Sequence, residues 1–313
     1  MRLAVIDCGT NTFNLLIVDF DNQKKYSKIF NTRIPVKLGQ GSINEGFIGE
    51  EPFKRGVEAM KAFCEEIAKY NVSKVLAFAT SAIRDAVNGK EFVAEVKRQT
   101  QIDVLIIDGN QEAELIYLGN KEAVTLSNSV SLIMDIGGGS NEFILANNTD
   151  MLWKQSFPVG AARMLEKFSP SDPITDKEIQ EINNYMNTQL QPIFEAVKKF
   201  PPIELIGSSG AFDSIVDMVS GELNGEALSE TKTCYTIDMN NYFQISQLIK
   251  NSTFEDRKKI KGLVSMRLDM IVISCLMVDF ILNAFKIEKM RVSSYSLKEG
   301  ALMDFIIQSG KIK

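Results

Sequence analysis

An α/β chain built from two related domains is the fold this sequence predicts, on three observations. Apolar, β-branched-rich strands alternate with segments of helical periodicity. The pattern restarts near residue 130. Across that restart, Asp7-Cys-Gly-Thr-Asn-Thr-Phe-Asn-Leu-Leu-Ile17 aligns with Asp135-Ile-Gly-Gly-Gly-Ser-Asn-Glu-Phe-Ile-Leu145, sharing the aspartate, a glycine, a hydroxyl residue and a following apolar strand.

The elements follow in order. Arg2 to Asp7 and Phe13 to Phe20 read as strands of a hairpin whose polar tip is Cys8-Gly9-Thr10-Asn11-Thr12. Behind Pro52, the residues Phe53, Val57, Met60, Cys64, Ile67 and Ala68 repeat at helical spacing. Lys74 to Ala79 returns as a strand, and Asn88 stands where it could cap a helix through Phe92, Val93 and Val96. Asp103 to Ile107 is strand-like, and a helix from Gln111 to Leu118 follows Asn110. Such alternation implies a mainly parallel, buried sheet. In the second half, Val130 to Met134 is a strand, Asp135 to Asn141 a glycine-rich turn and Phe143 to Ala146 a strand. Thr175-x-x-Glu178 is a capping box that opens one long helix, through Ile179, Ile182, Met186, Leu190, Ile193, Phe194 and Val197, kinked near Pro192. Ser220 to Lys232 reads as a loop, Met290 to Ser293 as a short strand and Glu299 to Ile307 as a last helix. The domains are expected at 1–124 and 125–298, with the final helix, about 299–313, packing back on the first.

Composition narrows the chemistry. The chain has 313 residues, 45% hydrophobic and 24% charged, which is ordinary globular usage. Its longest apolar run, Met270 to Phe285, is interrupted by Asp279 and falls short of the roughly 20 residues that cross a bilayer, so it predicts a buried helix. No secretory pattern opens the sequence, and Cys8, Cys64, Cys234 and Cys275 are scattered as free thiols would be; a cytoplasmic protein is expected. With no histidine, Ser-His-Asp triads and His-ligated zinc are excluded. Any catalyst must use carboxylates, backbone amides, Lys or Arg, and hard metals. A net charge of −5 argues against nucleic-acid binding.

Each Asp-x-Gly turn follows a buried strand, where open α/β sheets bind ligands; either its glycines and hydroxyls let N–H groups face a phosphate and its carboxylate suits Mg²⁺, or it is an ordinary hairpin turn, a reading that two matching copies weaken. Glu142 follows the second turn as a metal or water ligand, or as an exposed strand residue. Glu112 opens a helix, where acidic residues also serve the dipole. Arg84 follows a strand end and could grip phosphate or pair with Asp85. Ile206-Gly207-Ser208-Ser209-Gly210 is either a third phosphate-facing turn or a plain strand-to-helix connection. No Walker A sequence occurs.

In order along the chain, Asp7-x-Gly-Thr-Asn-Thr12, Ala79-Thr-Ser-Ala-Ile-Arg84-Asp85, Gln111-Glu-Ala113, Asp135-Ile-Gly-Gly-Gly-Ser-Asn-Glu142, Pro158-Val-Gly-Ala-Ala-Arg163, Gly207-Ser-Ser-Gly210, Arg267-Leu-Asp-Met-Ile-Val272 and Leu297-Lys-Glu-Gly300 resemble the exopolyphosphatase / guanosine pentaphosphate phosphohydrolase family. That family shares the fold of actin, heat-shock chaperones and sugar kinases. The resemblance therefore implies duplicated actin-like (ribonuclease H-like) domains with mixed sheets flanked by helices.

It also implies a hydrolase of phosphoric anhydrides, acting on polyphosphate or guanosine pentaphosphate, the latter linked to the stringent response. Glu112 would be the base that activates water and Glu142 a second catalytic carboxylate. Asp135, with Asp7 and Glu142, would hold Mg²⁺ or Mn²⁺. Gly9, Thr10, Asn11 and Thr12, together with Gly137, Gly138, Gly139 and Ser140, would cradle phosphates. Arg84 would hold the substrate chain, Gly207 and Ser208 would add contacts, and Lys37, Arg163 and Arg267 are further candidates. The two turns would clamp one phosphate, with closure about Lys121 to Asn128. Glu114, Asn141, Ser209 and Ala211 depart from the family's usual residues, and the chain ends after the second domain, which favours a shorter or guanosine-linked substrate. A small-molecule kinase and a non-catalytic guanosine polyphosphate sensor are the alternatives on this fold. Neither nucleic acid nor membrane is an expected partner; a homodimer is compatible.

Overall fold

The structure, a computed structural model, describes residues 1–20, 26–224 and 232–310. Its first elements are β1 (Arg2–Cys8), β2 (Thr12–Phe20), β3 (Tyr26–Pro35), α1 (Glu50–Lys69), β4 (Lys74–Ala79), α2 (Ser81–Arg84), α3 (Gly89–Thr100), β5 (Val104–Ile106) and α4 (Gly109–Ala123). There follow β6 (Ser131–Ile136), β7 (Asn141–Ala146), β8 (Met151–Phe157), α5 (Ala161–Phe168), α6 (Asp176–Gln189), α7 (Gln191–Lys199), β9 (Glu204–Ser208) and α8 (Gly210–Met218). The last are β10 (Cys234–Ile237), α9 (Met239–Asn251), α10 (Phe254–Arg257), α11 (Ile271–Phe285), β11 (Met290–Ser293) and α12 (Leu297–Gln308). The chain divides into two compact units, Met1–Gly119 with Leu297–Lys313, and Asn120–Ser296.

In the first unit the strand order is β3-β2-β1-β4-β5. The pairs β1/β2 and β2/β3 are antiparallel, whereas β1/β4 and β4/β5 are parallel. The sheet is mixed rather than mainly parallel because β3 extends the opening hairpin. As an edge strand with no fully buried residue, β3 lacks the apolar signature that marks its neighbours. One face of the sheet is packed by α1 and α3, whose helices approach closely at Gly56. A Cβ there would stand 2.7 Å from the Phe92 ring. Phe92 in turn meets Phe13 and Phe53 edge-on, at 6.3 and 5.1 Å between ring centres. α12 lies against β1 and β2. An added Cβ on Gly300 would overlap the Leu115 carbonyl of α4, so only glycine fits that contact.

The second unit orders its strands β10-β11-β9-β6-β7-β8. The run β8-β7-β6-β9-β11 repeats β3-β2-β1-β4-β5 in order and in the sense of every pairing, with β10 added antiparallel at the edge. This repetition is the duplicated actin-like topology. α11 is buried along nearly its whole length. Its one carboxylate, Asp279, is satisfied by Tyr242 Oη at 2.7 Å, Ser246 Oγ at 2.8 Å and Lys250 Nζ at 2.7 Å. Among the described residues no helix is long and apolar enough to cross a membrane.

Several local expectations change. Asn88 sits at the head of α3 without capping it; its side chain instead exchanges two 2.9 Å hydrogen bonds with the Ile48 backbone. The long kinked helix is two helices meeting at Leu190, with Pro192 in the first turn of the second, where its missing N–H costs nothing. The Thr175/Glu178 capping box is present as read. The expected loop begins as a π-helical turn, Val219–Asn224; positions 225–231 of it lie outside the described residues.

Candidate active site

The two Asp-x-Gly turns have one backbone. Asp135 closes β6 as the cross-strand partner of Glu142, with Gly137 to Ser140 between them. The Gly137 N–H donates to the Ser140 carbonyl at 3.0 Å, and a Cβ on Gly137 would lie 2.8 Å from that oxygen. The carbonyls of Gly137, Gly138 and Gly139 all accept from the segment that opens α5: Ala161 N at 2.9 Å, Ala162 N at 2.9 Å and Gly160 N at 3.3 Å. That approach requires Gly160, where a Cβ would come within 2.5 Å of the Gly138 and Gly139 backbones. In a planar trans peptide each N–H points opposite the preceding carbonyl. The N–H groups of Gly138, Gly139 and Ser140 therefore turn to the other side together, the geometry of an anion nest.

The first unit repeats the device with different residues. Asp7 faces Asn14 across β1 and β2, and a Cβ on Gly9 would lie 2.9 Å from the Thr12 carbonyl. The Thr10 carbonyl accepts from Leu38 N at 2.7 Å, and the Asn11 carbonyl from Val36 N at 2.8 Å and Lys37 N at 2.9 Å. By the same reasoning the N–H groups of Asn11 and Thr12 face away from residues 36–38.

The carboxylates differ between the copies. Asp7 accepts from Asn14 Nδ2 at 3.0 Å and is half-buried. Asp135 is 6% exposed and accepts from Ser208 Oγ at 2.8 Å. Glu142 is 1% exposed, with Ser140 Oγ at 2.8 Å and Ser156 Oγ at 2.6 Å both on Oε1. Glu142 is thus no exposed strand residue. Directly opposed residues on antiparallel strands share a face at about 5 Å between Cβ atoms, so two carboxyl groups lie side by side here.

Glu112, in the first turn of α4, is also buried. Arg84 Nη1 holds its Oε2 at 2.7 Å and reaches the Ile107 carbonyl at 3.3 Å, while Arg84 Nε reaches Asp85 at 3.3 Å. The structure therefore brings the expected base and the expected substrate arginine into one ion pair.

The remaining candidates act mostly on backbone. Arg163 Nε donates to the Gly139 carbonyl at 2.9 Å. Lys37, at φ +47°, belongs to the segment that holds the first turn. Arg267 packs so closely on Gly210, at the start of α8, that a Cβ there would overlap its guanidinium. Gly207 likewise leaves room for the Phe212 ring. Ser209 adopts φ +72°, ψ 178°, a conformation that suits glycine and costs other residues about 1–3 kcal/mol; its Oγ donates to the Ile136 carbonyl at 3.0 Å. Asn14 and Ser156 join these turns from outside the candidate residues. Asn14 aligns with Glu142 in the internal repeat, a signal that was present; Ser156 lies on β8, which the periodicity did not reveal. Among the described residues no three His, Cys, Asp or Glu side chains cluster as a metal cage.

The Ppx/GppA phosphatase family matches the chain over residues 16–308. Exopolyphosphatase 1 of Mycobacterium tuberculosis is 26% identical over 97% of this chain and 88% of its own length. A putative exopolyphosphatase of Haemophilus influenzae is 24% identical over 96% of this chain and 90% of its own. Among solved structures, that of an exopolyphosphatase from Cytophaga hutchinsonii superposes with a TM-score of 0.95 at 36% identity, covering 99% of this chain and 98% of that one.

Proposed function

Because the chain belongs to the Ppx/GppA phosphatase family, we propose that it is a phosphohydrolase that releases the terminal phosphate of inorganic polyphosphate, with guanosine pentaphosphate as the second substrate to try. The observation that carries the proposal is the Gly137 to Ser140 turn. Its three glycine carbonyls are committed to residues 160–163, the N–H groups of Gly138, Gly139 and Ser140 turn to the opposite side, and a cross-strand carboxylate pair stands at its base. A nest of amides receives an anion, and the carboxylates call for a cation beside it.

The donor set fits a hard divalent ion. Asp135 and Glu142 offer carboxylate oxygens, each oriented by serine hydroxyls, and Mg²⁺ is commonly held by one or two carboxylates with water and substrate phosphate completing its shell. Mg²⁺ or Mn²⁺ held there would offset the charge of the phosphate oxygens. The chain's own groups do the rest. In the second unit the turn amides would receive a phosphate, and in the first unit Arg84 would draw the polyanion. A phosphate that engages the Arg84 guanidinium competes with its ion pair to Glu112 and leaves that carboxylate to a water. Water oxygen then bonds to the terminal phosphorus, the bridging P–O bond breaks, and Glu112 takes the proton.

The test is phosphate release from polyphosphate and from guanosine pentaphosphate, with Mg²⁺, by the native chain and by Glu112→Gln. A general base is worth about 10²–10⁴-fold, so the variant should lose that much in kcat per folded molecule, the folded fraction being read from its melting curve. An unchanged rate removes Glu112 from the reaction. Phosphate passed from ATP to an acceptor, with none released from polyphosphate, would make the protein a kinase instead.

A further inference from the structure

Ser208 ends β9 beside Asp135, its register partner on β6, and is fully buried. Its single hydroxyl has three neighbours: Asp135 Oδ2 at 2.8 Å, the Tyr295 carbonyl at 3.2 Å and Asn120 Nδ2 at 3.2 Å. Asn120 donates, which leaves one O–H proton for two acceptors. It can serve Asp135 or the Tyr295 carbonyl well, but not both. The choice is nearly free for Tyr295, because its carbonyl also accepts from Ser293 Oγ at 2.9 Å.

Asn120 and Tyr295 have a property in common. The chain passes from one compact unit to the other at Gly119/Asn120 and again at Ser296/Leu297. Asn120 is the first residue after one crossing, and Tyr295 is the last but one before the other. These positions are 175 residues apart in sequence (295 − 120), yet both meet one hydroxyl, and that hydroxyl is bonded to the carboxylate assigned to metal and phosphate chemistry.

We propose that Ser208 is a positioning residue for Asp135 and that its hydroxyl relays the state of Asp135 to the two chain crossings. This rests on the reading of Asp135 as a cation ligand. A cation that takes up lone pairs of the Asp135 carboxylate weakens it as an acceptor from Ser208. The proton then swings to the Tyr295 carbonyl, and Ser208 binds the two crossings to each other, accepting from Asn120 and donating to Tyr295. Release of the cation returns the proton to Asp135. In this role Ser208 acts on the reaction through its neighbour Asp135.

Amide hydrogen exchange on the full chain tests this, using MgCl₂ with tripolyphosphate as the probe. In the native protein the probe should slow exchange at Gly138 to Ser140, which reports binding, and at residues 119–124 and 294–297 by at least about fivefold, the low end of ordinary site-to-site coupling. In Ser208→Ala, with MgCl₂ and tripolyphosphate raised until Gly138 to Ser140 are again protected, the response at both crossings should fall below about twofold. Ser208→Thr, which keeps the hydroxyl, should restore it, and it separates loss of the proton from loss of packing. A Ser208→Ala protein that keeps the full response at the crossings overturns the relay, as does a native protein that binds at the turn without change at 119–124 and 294–297. No protection at Gly138 to Ser140 in the native protein would overturn the functional reading itself, and the relay with it.

Discussion

The turn after β1 and the turn after β6 share a backbone and differ at one decisive position. Where the first places Asn14 opposite its aspartate, the second places Glu142. In the first unit an amide donates to the carboxylate at 3.0 Å and leaves a single, internally satisfied charge. In the second, two acids lie on one strand pair, and three serine hydroxyls bond to them. Like charges directly opposed on a sheet destabilise it unless something positive intervenes. On the reading proposed above, the second turn, with its two opposed acids, is the one beside which a cation would sit, and the first carries a single acid opposite an amide.

The sharpest way to break this comparison is to exchange the distinguishing residues. Glu142→Gln keeps the shape and the serine contacts but removes one charge; it should cost about 10²–10³-fold in kcat, the scale of a lost electrostatic contact to the reacting groups. Asn14→Ala removes one partly buried hydrogen bond to a carboxylate, about 1.5 kcal/mol and so roughly tenfold at most. Phosphate release under saturating Mg²⁺ measures both. Equal losses would mean that the two turns do the same work and that the Asn/Glu difference is incidental.

A smaller effect tests what the turns share. Gly137 and Gly9 each face the carbonyl three residues on, with an added Cβ 2.8 Å and 2.9 Å from it. Gly137→Ala and Gly9→Ala should therefore each cost about 1–3 kcal/mol in urea unfolding, the usual range for crowding a packed site. The comparison is sharpened if Gly137→Ala also loses more activity per kcal/mol than Gly9→Ala, because only the second turn stands beside paired carboxylates. If either alanine is tolerated without loss of stability, the close backbone approach is not a constraint.

Much of this was legible in the residues. The repeat Asp7 to Ile17 and Asp135 to Leu145 revealed the duplication because an Asp-x-Gly turn between buried strands leaves both a polar and an apolar signature. The burial of Glu142 and Glu112 was not legible. A glutamate after a turn, or in the first turn of a helix, is ordinary on a surface, and partners remote in sequence, such as Ser156 on β8 and Arg84 on α2, help to make the interior position tenable. β3 escaped because an edge strand alternates between half-buried and exposed positions, with no fully buried face. The three partners of Ser208 were invisible for a different reason. They are 73 to 88 residues from it in sequence, and no local pattern records such meetings.

The least effect is expected from the arginines that brace each turn, and it discriminates finely. Arg163 bonds directly to a turn carbonyl, Gly139, at 2.9 Å. Arg55 acts one step further out: its Nε and Nη2 hold the Val36 and Lys37 carbonyls at 2.9 and 3.1 Å, and the N–H groups of those same residues hold the first turn. Water at the partly exposed guanidinium replaces much of the lost bond and leaves a net loss of about 1 kcal/mol, so Arg163→Ala should raise the KM for polyphosphate roughly fivefold with kcat little changed. Arg55→Ala should stay within about twofold, because the Val36 and Lys37 N–H bonds to the first turn remain when the guanidinium is removed. A kcat loss in Arg163→Ala with KM unmoved would mean that the guanidinium serves the transition state rather than the turn, and the two braces could no longer be treated as versions of one device.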